Sequence, residues 1–197
     1  MDPLHGEKVV KEIVRRYQKI DIAILNIGAS PPSNTLTATQ EVILHSMRIN
    51  YDTMIHFFCP LLAQMKTQRQ KCMITHMNSL ASYFGIPMQG DYTAAKGAAR
   101  LFLETARMEL KHFKINHILI QTIHPGFVDT LAVKNDGIPA PNEISEEKAA
   151  EYVLQGIKKE VRENQFPFGT KMATKLGRVA PHFLLTKILL NETPESY

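Results

Sequence analysis

The chain has 197 residues, a net charge of +4, 44% hydrophobic residues and 21% charged ones. That composition excludes wholesale disorder, and the length suits one domain with a real core and is short for two. Basic residues alternate with acidic ones, as in HGEKVVKEIVRR, which argues against nucleic acid as the main partner.

The opening MDPLHGEKVV lacks the apolar stretch of a secretory signal. No uncharged apolar run approaches the ~20 residues that cross a bilayer, so a cytoplasmic protein is expected. Cys59 and Cys72 form no CxxC or other metal spacing and read as free thiols of a reducing compartment. His56 and Cys59 stand three apart on a predicted helix with no second ligand pair, so they read as core packing and no metal centre is expected.

From Glu7 to Ile20, Val10, Ile13, Val14 and Tyr17 recur at helical spacing, which predicts an amphipathic helix. DIAILNIGAS follows as a short strand ending in a glycine turn; being apolar on both faces, it suits the middle of a parallel sheet. After PPSN, Thr37 and Gln40 are spaced as a capping box that opens a helix over 38–66, with Pro60 expected to kink or divide it. KCMITHMNS is the second strand, and the loop GIPMQG leads to a helix over 92–112. INHILIQTIH is the third strand, closed by Pro125 and Gly126. A loop rich in Pro, Asn and Asp covers 131–144. Ser145 with Glu146 and Glu147 caps a helix running to Asn164. QFPFGT predicts a short fourth strand, and a basic, partly helical tail broken at Pro181 follows. Alternating strands and helices give an α/β class with a parallel sheet, and residues 1–197 show neither a repeat nor a linker.

The segment SLASYFGIPMQGDYTAAKGAA places Ser79 thirteen positions before Tyr92, and Lys96 four after it. A tyrosine is a usable general acid or base only if its pKa of about 10 is brought down. An ammonium one helical turn away on the same face supplies a charge that favours the phenolate. A serine hydroxyl at a strand end can hydrogen-bond an oxygen on which charge develops. Together these groups suit reversible proton transfer to a carbonyl oxygen, with hydride coming from elsewhere. Ser82 and Tyr83 do not match this spacing and are set aside. YxxxK alone is a common chance pattern; its placement after a strand-end serine and at a helix mouth makes it informative.

On these residues the chain resembles the short-chain dehydrogenase/reductase family, whose strand–Ser–loop–YxxxK–helix arrangement Ser79, Tyr92 and Lys96 match. Further matches come in order: LNIG at 25–28 is similar to the family's NNAG, Asn50 falls where the family keeps a helical asparagine, and HPGFVDT is similar to its PG-x-[VI]-x-T segment. The resemblance implies an NAD(P)-dependent oxidoreductase interconverting a carbonyl and a secondary alcohol. Tyr92 would be the acid/base and Ser79 would orient the carbonyl. Lys96 would bind the nicotinamide ribose and lower the phenol pKa. Asn50 would hold a water of a proton relay. Asn26 and Gly28 would shape the strand end against the cofactor, Pro125 and Gly126 the turn, and Val128 and Thr130 would hold the carboxamide. Taken alone, Asn50 reads equally well as a buried polar group, and Asn26–Gly28 as a generic turn.

The resemblance also implies a homodimer or homotetramer through the helices at 38–66 and 92–112. It implies a small apolar substrate, with the loop from 131 and the tail to 197 lining its pocket. Two departures stand out. Leu25 replaces the first asparagine of NNAG. The family's opening strand, TGxxxGxG loop, helix and two further strands find no counterpart before Glu7. The fold expected is therefore a Rossmann-like doubly wound parallel sheet, N-terminally truncated, with about four parallel strands, an exposed edge at IAILNI and no phosphate cradle. A fragment of a normal enzyme is expected, with no measurable NAD or NADP binding or dehydrogenase activity by itself; which of the two cofactors the family member uses is not legible. Two rival readings are a non-catalytic derivative acting in oligomerisation, and contact of the tail KMATKLGRVAPHFLLTKILL with a membrane surface.

Overall fold

Four parallel strands form one sheet in the order β1-β2-β3-β4: β1 Ile22–Leu25, β2 Cys72–Met77, β3 Ile118–Pro125 and β4 Glu163–Phe166. The computed structural model describes residues 4–130, 140, 142–191 and 193. Helix α1 (His5–Tyr17) precedes β1; α2 (Gln40–Met47), a π-helical turn (Arg48–Asp52) and α3 (Thr53–Thr67) join β1 to β2. Helix α4 (Gly90–His112) joins β2 to β3, and α5 (Glu146–Lys158) precedes β4; α6 (Phe168–Val179) and α7 (His182–Asn191) follow it. Parallel neighbours require such crossovers.

Strands β2 and β3 are buried almost throughout, whereas β1 carries half-exposed Ile22 and Ile24. Among the described residues β1 pairs only with β2, in the register Ile24↔Thr75, so this apolar strand lies at the sheet edge rather than in its middle. Phe58, Leu61 and Met65 of α3 and Leu103 and Leu110 of α4 pack with Ile74, Ile118 and Ile120 into one core. Two of the buried polar side chains in the sheet satisfy each other. Thr75 donates to Gln121 Oε1 at 3.0 Å, and Gln121 Nε2 donates to the carbonyls of Gly156 (2.9 Å) and Val161 (2.7 Å), fixing the turn into β4.

Several boundaries differ from expectation. The helix expected at 7–20 is His5–Tyr17. The helix expected at 38–66 starts at Gln40, capped by Thr39 rather than Thr37; the Thr39 hydroxyl accepts from Val42 N at 3.4 Å. Pro60 does not divide it, for the break is the wide turn at 48–52 and Pro60 lies inside α3. Proline leaves the His56 carbonyl without its helical donor, and α1 packs there through Gly6, where a Cβ would lie 2.1 Å from that oxygen. His56 and Cys59 are not core: Cys59 is exposed, and both line an open groove between α1 and α3. The helix expected to reach Asn164 stops at Lys158, where Glu160 turns at φ 54° and Val161 N bonds back to the Gly156 carbonyl. Strand β4 therefore starts before QFPFGT. The pocket-lining loop expected at 131–144 falls largely outside the described residues. No described helix is long and apolar enough to cross a membrane.

Candidate active site

The residues singled out by spacing meet at the carboxyl ends of β1 and β2, where α4 begins; in open parallel sheets this is where crevices form. Ser79 follows β2 in extended conformation and starts the short 3₁₀ turn Leu80–Tyr83, its hydroxyl oxygen accepting from Ala81 N at 3.1 Å. The same side chain lies beside the phenol of Tyr92 and favours its ionised form. Tyr92 stands in the first turn of α4, half-buried.

Lys96, one turn on, is buried, and burial pushes its pKa down to about 8. Its Nζ lies 5.7 Å from the centre of the Tyr92 ring and donates to the Met77 carbonyl at 3.0 Å. The ammonium thus lies over the ring face and ties α4 to the end of β2. Burial raises the phenol pKa and the neighbouring Ser79 side chain opposes it, so the downward shift expected from Lys96 is not what sets the direction.

Asn50 sits in the wide turn, fully buried. Its Oδ1 accepts from Ala29 N at 3.1 Å, and its Nδ2 donates to the carbonyls of Ala29 (2.8 Å) and Ser46 (3.1 Å). Gly28 lies between the two: a Cβ there would come within 3.0 Å of both Asn50 Oδ1 and Lys96 Nζ. Only glycine lets the backbone after β1 approach this pair. Asn26 is exposed and, with His76, Ile24 and Phe57, borders a cavity of about 110 Å³. Pro125 ends β3, and Gly126, Val128 and Thr130 follow it as a separate stretch. Gly126 N donates to the Phe166 carbonyl at 2.7 Å, Val128 forms a bridge to Ile144, and Thr130 N donates to the Val128 carbonyl at 2.7 Å.

Behind Ser79 stands a polar network that spacing does not reveal. Asn78 Oδ1 accepts from Ser79 N at 2.8 Å while its Nδ2 donates to the Lys96 carbonyl at 3.2 Å. The Ser79 carbonyl accepts from the Ser82 hydroxyl (2.7 Å) and from Nδ1 of fully buried His124 (3.1 Å). His124 Nε2 lies 2.7 Å from Glu163 Oε2, and Arg107 pairs with the other carboxylate oxygen. Burial alone would raise the Glu163 pKa, but His124 and Arg107 outweigh it and hold the carboxyl below its ordinary range. Tyr83, set aside by spacing, is held here too: Gln165 Nε2 donates to its hydroxyl at 2.6 Å, and Arg100 and Arg178 flank its ring. His124 directly precedes the Pro125–Gly126 pair, and that adjacency was the one sequence signal for this network.

The sequence profile of the short chain dehydrogenase family matches residues 2–138. The chain is 26% identical over 180 residues to a 3-ketodihydrosphingosine reductase of Bacteroides thetaiotaomicron, covering 89% of this chain and 65% of that protein. An uncharacterized oxidoreductase of Myxococcus xanthus is 23% identical over 163 residues, covering 83% of this chain and 63% of that protein. The chain thus spans just under two thirds of the length of these relatives. The crystal structure of a short chain dehydrogenase from Burkholderia cenocepacia in complex with NADP superposes with a TM-score of 0.79 at 24% identity, covering 98% of this chain and 77% of that one. One from Burkholderia phymatum in complex with NAD gives 0.78 at 14% identity, covering all of this chain (100%) and 76% of that one. The chain belongs to the short chain dehydrogenase family, and its sheet is the Rossmann-like parallel sheet of that fold.

Proposed function

We propose that this chain carries the proton-transfer site of an NAD(P)-dependent oxidoreductase that interconverts a carbonyl and a secondary alcohol. The observation that carries this reading is the Tyr92 phenol set beside Ser79 with the Lys96 ammonium over its ring, while Lys96 and the Asn50 carboxamide meet at the bare backbone of Gly28. The bare Gly28 surface suits close approach of a flat ligand, and structural neighbours carry NADP or NAD. Asn26, Gly28, Lys96, Pro125, Gly126, Val128 and Thr130 would hold such a dinucleotide, which when bound supplies or accepts hydride.

In the reducing direction the Tyr92 hydroxyl donates its proton to the substrate oxygen, and in the oxidising direction it takes the proton back. Its raised pKa keeps the proton on the phenol until a charged oxygen arrives. The Ser79 hydroxyl donates a hydrogen bond to the same oxygen and stabilises charge there. Lys96 is cationic at neutral pH and exchanges protons near pH 8, so it can reprotonate the phenolate, with Asn50 ordering a water between Lys96 and solvent. Half-exposed Leu101 and Met108 on α4, with Val42 and Leu44 on α2, offer an apolar face for a homodimer or homotetramer.

The test joins the opening segment of a related enzyme ahead of Met1 and follows nicotinamide absorbance over a panel of apolar ketones and alcohols, with calorimetric titration of NADH and NADPH. Tyr92→Phe should reduce turnover at least a hundredfold with cofactor affinity unchanged, as expected for loss of a general acid. Turnover surviving in Tyr92→Phe at more than a few per cent removes the phenol from this role.

A further inference from the structure

Helix α6 presents two different faces. Thr170, Thr174 and Gly177 turn inward: Thr174 is buried, and a Cβ at Gly177 would lie 3.0 Å from Phe84 and 3.4 Å from Leu185. On the opposite side, at helical spacing, stand Met172, Leu176 and Val179, with Phe168 at the helix start. Phe168 is 75% exposed, Leu176 64%, Val179 80%, and Phe183 of α7 75%. Helix α7 buries no residue and adds Leu184, Ile188 and Leu190 to the same exposed set. Lys171, Lys175 and Arg178 form a row along one flank of the α6 stripe, and Lys187 interrupts that of α7. Between Asn164 and Asn191 there is no Asp or Glu.

We propose that α6 and α7 form a docking face for an anionic lipid bilayer. An exposed apolar stripe edged by cations, with acids excluded, has the form of a helix lying in the membrane interface. Leu176, Val179 and Phe183 enter the boundary between headgroups and acyl chains. Lys171, Lys175 and Lys187 lay their methylene stems along the apolar surface and carry their ammonium groups to lipid phosphates and carboxylates. Arg178 takes part from its place over the Tyr83 ring, 4.7 Å from the ring centre. Charge complementarity selects this occupant: an uncharged apolar partner leaves the basic row unmatched. The inference is independent of the proton-transfer reading.

The full chain is sedimented with vesicles of equimolar phosphatidylcholine and phosphatidylserine, and with vesicles of phosphatidylcholine alone. It should pellet with the first and remain largely in solution with the second, and added salt should release it. Lys171→Glu/Lys175→Glu should lower partitioning by about thirtyfold or more. Leu176→Ser/Phe183→Ser should also lower it, with both variants keeping the native circular dichroism. A folded native chain that ignores the anionic vesicles overturns the proposal, as does equal binding to both vesicle types unaffected by the charge reversal. Light scattering that shows a dimer dissociated by Leu176→Ser/Phe183→Ser assigns the face to a second copy and overturns it too.

Discussion

Lys96 is the group whose environment makes the sharpest quantitative claim. It is 3% exposed, and burial lowers its pKa from 10.5 to about 8. Below pH 8 the lysine is protonated in both the folded and the unfolded chain, and the fold bears the full cost of the buried ammonium. Between pH 8 and 10.5 the unfolded chain still binds this proton while the folded chain has released it, so stability rises with pH; above 10.5 the contribution is flat. The interval of about 2.5 pH units, at about 1.4 kcal/mol per unit, amounts to ~3 kcal/mol. The perturbation is Lys96→Met, which keeps the stem and removes the charge. Urea unfolding followed by circular dichroism from pH 7 to 11 gives the difference between native and variant, in which other titrating groups cancel. The native chain should gain ~3 kcal/mol on the variant across that window. A difference that stays level within about 1 kcal/mol refutes the buried-ammonium assignment.

His76 makes the complementary prediction at acid pH. Among the described residues both its ring nitrogens are buried without a hydrogen-bond partner, and burial first, then the charges of Lys96 and His124, lowers its pKa to about 3. The unfolded chain binds this proton from pH 6.5 downward and the folded one does not, so stability is lost as pH falls from 6.5 to 3. His76→Leu should lose less stability over that range, measured by the same unfolding series; parallel curves exclude the assignment. Asn50→Ala removes the Asn50 hydrogen bonds to Ala29 and Ser46 and strands the Ala29 backbone groups, so it should cost about 2–4 kcal/mol in denaturant unfolding. A cost under about 0.5 kcal/mol would show that water replaces the side chain there.

How much was legible follows from the range over which each cause acts. The first three strands and the α4 helix are local patterns of period and spacing and overlap the segments expected for them, whereas the fourth strand, expected at QFPFGT, starts at Glu163; the Ser79–Tyr92–Lys96 interval is local in the same sense. Helix ends were less legible. Thr37 and Thr39 are both competent caps, and only the turn Asn34–Ala38, closed by Ala38 N on the Asn34 carbonyl, selects the second. The direction of the Tyr92 shift depends on how deeply tertiary packing sets the phenol, which no interval of four residues encodes. His124, Glu163 and Arg107 lie on three elements joined only by the β3–β4 pairing and by α4, so their convergence is a product of topology. Ser82 and Tyr83 were dismissed on spacing to Lys96, yet they brace Ser79 and its turn from behind.

The wide turn at Arg48–Asp52 has a consequence for how this connection tolerates insertions and deletions. Thr53 N bonds to the Arg48 carbonyl, five residues back, so the turn holds one residue more than an α-helical one. That extra residue rotates everything after it by about 100° relative to everything before it. Within the turn, Asn50 bonds back to the Ser46 carbonyl and across to Ala29 in the loop after β1; downstream, Met54, Phe58, Leu61 and Met65 address the core. A chain shortened by one residue here would regain a regular helix but put the two sets out of phase. Either the carboxamide would swing off Ala29 or the methionines and Phe58 would leave the sheet. The irregularity acts as a phase shifter, allowing one run of helix to serve two surfaces that a uniform period cannot face together.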